Sequence, residues 1–193
     1  MVEKAYPIKF ILPIQLSDGT IVQLRPIHVS DGKYAASFKA GLSRASLNSR
    51  FFGHSPKITE SIIKKYVDLD YKTQIAIIAE KIDGFEKEII GIGRLAPHVD
   101  SNETVELAVI ISDSWQGKGL GKKMTTYLVH IANSIGFINI CAYTYKDNIR
   151  MIEILKCNSF QLLNEDYNTY YAFRPLDLDN AKETSNILDS RNK

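Results

Sequence analysis

The chain has 193 residues, 45% of them hydrophobic and 24% charged, which suits one globular domain and is tight for two. Its 24 Lys and Arg against 22 Asp and Glu leave a formal net charge of +2 without a basic block, which disfavours nucleic acid as the main partner. The longest apolar stretches, Ile75 to Ala79 and Leu107 to Ile111, are strand-sized and far from the ~18 residues that span a bilayer, so no membrane partner is expected.

In chain order, the first ten residues carry Glu3 and Pro7 and no long apolar region. They do not read as a signal peptide, and a cytoplasmic protein is expected. Phe10 to Ile27 reads as a hairpin, with Asp18-Gly19 as the turn between Ile14, Leu16 and Ile21, Val22, Leu24. Ser30 or Asp31 is placed to cap a helix running to about Gly41, where Tyr34, Phe38 and Leu42 recur four apart. Short helices are expected over 46–52 and 59–67. Strands follow at 74–82, 88–95 and 104–111, with a turn at Asp83-Gly84. The period then changes. Apolar residues at 120, 124, 127, 128, 131 and 135 describe a helix of about four turns that Gly136 closes. A strand over 138–145, a helix over 148–157 and a strand pair at 160–163 and 170–173 complete a domain of residues 1–175. Residues 176–193 form a polar tail expected to fray.

A strand on each side of the long helix, 104–111 and 138–145, requires a parallel crossover in an otherwise antiparallel sheet. The class is α+β with a mixed sheet.

The segment from Ile111 to Lys122 is the most informative. A strand ends, glycines follow at 117, 119 and 121, and a helix begins. Glycines let successive backbone N–H groups converge on one point, and the helix N-terminus adds unpaired donors and a positive dipole end. Lys118 and Lys122 add charge, so the segment is suited to a pyrophosphate. It is neither a P-loop, since no hydroxyl residue follows a lysine in the required place, nor a Gly-x-Gly-x-x-Gly dinucleotide fingerprint.

Gln116-Gly117-Lys118-Gly119-Leu120-Gly121 resembles the Gln/Arg-x-x-Gly-x-Gly/Ala signature of the GNAT superfamily of N-acetyltransferases. Val105 to Ile111 upstream, Asn148 to Met151 and Asn158-Ser159-Phe160 downstream extend the resemblance to about residues 20–175. Leu24-Arg25-Pro26-Ile27, Ser49 to Gly53 and Val105 to Val109 are similar to the acetyltransferase domains of bacterial protein-lysine acetyltransferases. The resemblance implies a GNAT fold with six to seven strands, splayed central strands and flanking helices. It implies acetyl-CoA as co-substrate, no metal, and an amine acceptor. Val109, Ile110, Ile111, Gln116, Gly117, Lys118, Gly119, Leu120, Gly121, Lys122, Asn148 and Met151 are then the expected acetyl-CoA contacts, with backbone at 109–111 pairing with pantetheine as an added strand.

Amine acetylation needs a neutral amine, whereas a lysine side chain has a reference pKa of ~10.4, so a base is required. The resemblance places that base at Glu106, an isolated carboxylate among Val105, Leu107, Ala108 and Val109, where a raised pKa is expected. The tyrosine that many GNAT enzymes use as the acid is Leu155 here, and Tyr143 stands where the ribosomal-protein acetylases carry a glutamate. The usual glycine before Phe160 is Ser159. Cys141 has no histidine near it in sequence and reads as a buried structural thiol. Trp115 is expected to pack at the base of the loop, Tyr167, Tyr170 and Tyr171 in and around the last strands, and Arg50 and His54 to border the acceptor groove. The acceptor expected is a protein lysine, attacked directly in a ternary complex by a monomer or homodimer. The alternatives are a small amine as acceptor and a non-catalytic acyl-CoA sensor.

Overall fold

The computed structural model describes residues 5–81 and 87–176. The expected Asp83-Gly84 turn and residues 177–193 of the tail lie outside the described residues. Leu176, assigned to the tail, is 8% exposed and its N–H donates to Ile138 O at 2.7 Å, so the last described residue belongs to the core.

The elements are β1 (Leu12–Gln15), β2 (Ile21–Pro26), α1 (Gly32–Ala40), α2 (Arg44–Phe51), α3 (Glu60–Val67), β3 (Ile75–Lys81), β4 (Glu88–His98), β5 (Ser101–Ile111), α4 (Leu120–Ser134), β6 (Asn139–Tyr145), α5 (Ile149–Cys157), β7 (Gln161–Asn164) and β8 (Thr169–Pro175). They form one sheet in the order β1-β2-β3-β4-β5-β6-β8-β7. Every pair is antiparallel except β5–β6, the crossover expected around α4. There are eight strands where six to seven were expected, because the four-residue strands β1 and β7 both pair at the edges.

Strand residues alternate between two cores. Ile75, Ile77 and Ala79 of β3, with Val105, Leu107 and Ile111 of β5, pack with α4 and α5; Ala76 and Ile78 of β3 pack with Phe38 and Leu42 on the other face. Both faces being covered explains why β3 reads as a continuous apolar run. Helix α4 lies close on β4, since a Cβ at Gly93 would stand 2.5 Å from Leu128 Cδ1. Gly136, at φ 90°, ends α4: its N–H donates to Asn133 O while Phe137 N–H reaches Ala132 O, a Schellman closure.

The small helices differ in detail from expectation. Helix α2 begins two residues early, at Arg44, because Ser43 Oγ accepts from Ser46 N–H. Thr59 Oγ1 caps α3 in the same way. Asp31 does precede α1, yet its carboxylate makes no cap bond to that helix. It accepts from His28 N–H at 2.8 Å and from both Arg25 Nη atoms at 2.7 and 2.9 Å, while Arg25 also donates to Glu80. Arg25 and Asp31 are 8% and 2% exposed, so this buried triad fixes α1 to β2 and β3.

Candidate active site

Strands β5 and β6 pair only at Thr104–Asn139, Val105–Ile140 and Glu106–Cys141. Past Glu106, β5 stays with β4 through Ile111 while β6 stays with β8 through Tyr145, so the sheet parts in its middle. The backbone edge of residues 107–111 that faces β6 therefore has no strand partner, and an extended chain can pair with it. A cleft of about 550 Å³ opens here, between β5, α2, the loop after β5 and α5. That volume is in the range of small-molecule sites.

The loop supplies the wide end of the cleft. Gly117 and Gly119 sit at φ 77° and 83°, the left-handed region, and a Cβ built on either meets nothing within 4 Å. A side chain there would be strained and would enter the cleft. Gly121 is needed for another reason: its Cβ would lie 3.3 Å from Ile154 Cδ1, where α4 meets α5. Helix α4 opens with the bond from Lys123 N–H to Gly119 O, leaving the N–H groups of 120–122 at the open, positive end of the helix.

Glu106, Val109, Ile110, Ile111, Gln116, Gly117, Gly119, Gly121, Lys122, Asn148 and Met151 all line this cleft. Lys118 and Leu120 do not. Lys118 Nζ pairs with Asp18 Oδ2 at 2.9 Å and lies 4.5 Å over the Trp115 ring, and this partner holds the Asp18 carboxyl down at about 2. Leu120 is buried in the core, so it has only backbone to offer. Asn148 Oδ1 accepts from Met151 N–H and so caps α5.

Gln116 acts as a clamp. Its Nε2 donates to Ile111 O (3.2 Å) and Ser46 Oγ (3.0 Å), and its Oε1 accepts from Arg150 Nη1 (3.1 Å). Ser46 Oγ and Ser43 Oγ each donate to Asp113 Oδ1 at 2.7 Å, and Ser43 N–H donates to Asp113 Oδ2 at 2.9 Å. The Ser43 N–H, with the two hydroxyls, lowers the Asp113 pKa. This tie between α2 and the loop joins residues about 70 apart in sequence, so no local pattern signals it.

On the opposite side of the cleft from α5, Glu106 shares its surroundings with Arg50, Cys141 and Tyr143, all within reach of its charge. Tyr143 OH is 3.1 Å from His98 Nε2, and its ring leans on Tyr171. Cys141 is fully buried; burial, then the Glu106 charge, pushes its thiol up to about 12. The rings of Phe52 and Tyr145, 4.8 Å apart, connect α2 to β6. Leu155 is buried in the core. His54 is bonded to Phe52 O and does not line the cleft, and Tyr167 is 92% exposed on the β7–β8 turn.

A smaller cavity of about 90 Å³ lies under α1 and α3, and shares Arg50, Ala108 and Ile110 with the cleft. Among the described residues there is no group of three or more potential metal ligands, and no helix long and apolar enough to cross a membrane.

Comparison with known proteins agrees with this architecture. A family described as acetyltransferase (GNAT) domain matches residues 22–161. A Pseudomonas aeruginosa acetyltransferase is 30% identical over 122 residues, 63% of this chain and 65% of that protein. The acetyltransferase Pat of Mycolicibacterium smegmatis is 24% identical over 144 residues, 75% of this chain and 42% of that protein. The matched part is thus less than two thirds of either relative. The GNAT domain of S. lividans PAT superposes with a TM-score of 0.79 at 22% identity, covering 89% of this chain and 100% of that one. An acetyltransferase of Salmonella typhimurium, solved with its cofactor acetyl-CoA, superposes with a TM-score of 0.66 at 16% identity, covering 81% and 93%.

Proposed function

The chain belongs to the GNAT acetyltransferase family, and on that premise we propose that it transfers the acetyl group of acetyl-CoA to a primary amine by direct attack, with Glu106 as the base. One observation carries the reading: the sheet parts immediately after Glu106, opposite a loop with two left-handed glycines. The residues present fit acetyl-CoA. The pyrophosphate meets the N–H groups of 117–122 and Lys122, and pantetheine lies along the β6-facing edge of 107–111.

Glu106 takes the proton that makes the amine nucleophilic. The amine nitrogen then bonds to the thioester carbon, an N–H of residues 109–111 faces the carbonyl oxygen, and the C–S bond breaks. The surplus proton on the new N–C nitrogen leaves to solvent as the amide forms, and CoA departs as a thiolate that takes a proton from solvent, because Leu155 lies in the core. Cys141, protonated and buried, forms no acetyl-enzyme.

The resemblance to bacterial protein-lysine acetyltransferases supports a protein lysine as acceptor, in a cytoplasmic enzyme. The small cavity beside Arg50 supports a second reading, a small amine. CoA release is to be measured with the purified protein, small amines and acyl-CoA synthetases as acceptors, alongside Glu106→Gln. Undiminished turnover in that variant removes Glu106 as base; binding of acetyl-CoA without turnover on any acceptor makes the protein an acyl-CoA sensor instead.

A further inference from the structure

The small cavity lies on the sheet face that carries Ala108 and Ile110, with α1 and α3 above it. Its walls are apolar, formed by residues such as Phe38, Leu42, Ile62, Ile63 and Ile92. Three cations also line it, Lys39, Arg50 and Arg94, and no Asp or Glu does. Two of the three are engaged. Lys39 Nζ donates to Pro56 O, and Arg94 Nη2 donates to Gln74 Oε1 at 2.8 Å.

Arg50 differs from both. Its guanidinium lies 5.0 Å from the Phe51 ring centroid, and among the described residues no carboxylate or carbonyl accepts a hydrogen bond from it. Burial nevertheless disfavours its charge and lowers its pKa. Arg50 is half-buried at the edge of both spaces, and a ligand carboxylate would meet its guanidinium with two parallel bonds. Arg50 also lines the large cleft, and the charge of Glu106 reaches it.

Resting on the acetyl-transfer reading above, and on its small-amine branch in place of a protein lysine, we propose that the acceptor is an α-amino acid with an aliphatic side chain. Its carboxylate pairs with Arg50, its side chain enters the small cavity, and its amine faces Glu106. An α-amino acid carries its amine and its carboxylate on one carbon, to meet a carboxylate and an arginine that line the same cleft. A cavity of about 90 Å³ admits a side chain of about three to four carbons, since each water-sized group takes ~30 Å³. Cations at its wall repel a polyamine or a lysine-rich segment. The products are the N-acetyl amino acid and CoA: one ammonium proton passes to Glu106, the N–C bond forms, the C–S bond breaks, and the second amine proton goes by way of solvent to the departing thiolate.

CoA release by the full chain is to be compared for L-leucine, 3-methylbutylamine (leucine without its carboxylate), spermidine and an acyl-CoA synthetase. The expected kcat/KM for leucine exceeds that for 3-methylbutylamine by about 100-fold, the scale of a buried charge pair. Arg50→Gln brings leucine down to the level of the carboxylate-free amine. Ile62→Trp, which fills the cavity, raises the KM of leucine more than that of alanine. Equal rates on leucine and 3-methylbutylamine overturn the proposal, and this comparison needs only the unmodified protein. A leucine preference that survives Arg50→Gln in a folded variant also overturns it. Acetylation of the synthetase alone removes the amino acid and leaves acetyl transfer standing, whereas acetyl-CoA binding with no acceptor at all removes acetyl transfer itself.

Discussion

Glu106 stands directly opposite Cys141, and that pair is the last rung of the ladder joining β5 to β6. The carboxylate thus sits where the sheet stops being continuous and the cleft begins. Glu106→Gln keeps the shape and removes the proposed base. Turnover is expected to fall by about 10²–10⁴-fold, with the dissociation constant of acetyl-CoA and the melting temperature little changed. Steady-state kinetics and calorimetric titration check both halves.

Cys141 gives the complementary result. Its thiol is buried and held protonated to about pH 12, first by burial and then by the Glu106 charge. Cys141→Ala is expected to retain kcat within about threefold, and mass spectrometry of the enzyme with acetyl-CoA alone should find no acetyl adduct. An adduct at Cys141 would require a two-step mechanism.

Gly119 tests the anion site. A Val there places a branched side chain at φ 83° and projects it into the cleft. The expected outcome is an acetyl-CoA dissociation constant raised about 10- to 100-fold, from a strain of ~1–3 kcal/mol together with the blocked approach. Isothermal titration measures it directly, whatever the acceptor.

The Arg25–Asp31–Glu80 triad sets an acid limit on stability. Burial alone would raise the Asp31 pKa, but the Arg25 hydrogen bonds, the His28 N–H and the Arg25 charge outweigh it and hold it below the ordinary 3.8. A depressed folded-state pKa means stabilisation that is complete above the unfolded value and lost as pH falls through the lower folded one. Asp31→Asn should therefore cost about 3 kcal/mol at pH 7, the low end for a broken buried pair because Glu80 still accepts from Arg25. Urea unfolding should show that gap narrowing below pH ~4.

Ser159 holds φ 62° at the end of α5, where Phe160 N–H reaches Leu155 O and Ser159 N–H reaches Lys156 O. This is the same closure that Gly136 makes on α4. Ser159→Gly relieves the left-handed strain and is expected to stabilise by about 0.5–1 kcal/mol after the added chain entropy of glycine. For a domain of this size that is a rise in melting temperature of about 1–4 °C.

Local chemistry made much of this legible from sequence. The steps of three and four after Leu120, the Asp18-Gly19 turn and the closing Gly136 each have a mechanism confined to a few residues, and the structure reproduces them. The glycine loop was legible because its φ angles demand glycine. Asp31 was placed correctly before α1 but with the wrong task, since its partner Arg25 and the more distant Glu80 are brought to it only by the sheet. The Lys118–Asp18 pair is invisible locally, because the β1–β2 turn brings Asp18 to the loop from a hundred residues upstream in sequence. Asp113 with Ser43 and Ser46 escaped notice for the same reason: strand pairing and helix packing create the contact. Arg94 and the small cavity likewise come from six separate elements.

Ser46 and Arg50 are one turn apart on α2, hence on one face of a two-turn helix. Ser46 is bonded to the glycine loop through Gln116, and Arg50 borders the acceptor side. On the proposed function, a displacement of this short helix moves a donor's seat and an acceptor's seat together. The two substrates are then expected to be thermodynamically linked: whatever factor one exerts on the affinity of the other is returned in equal measure.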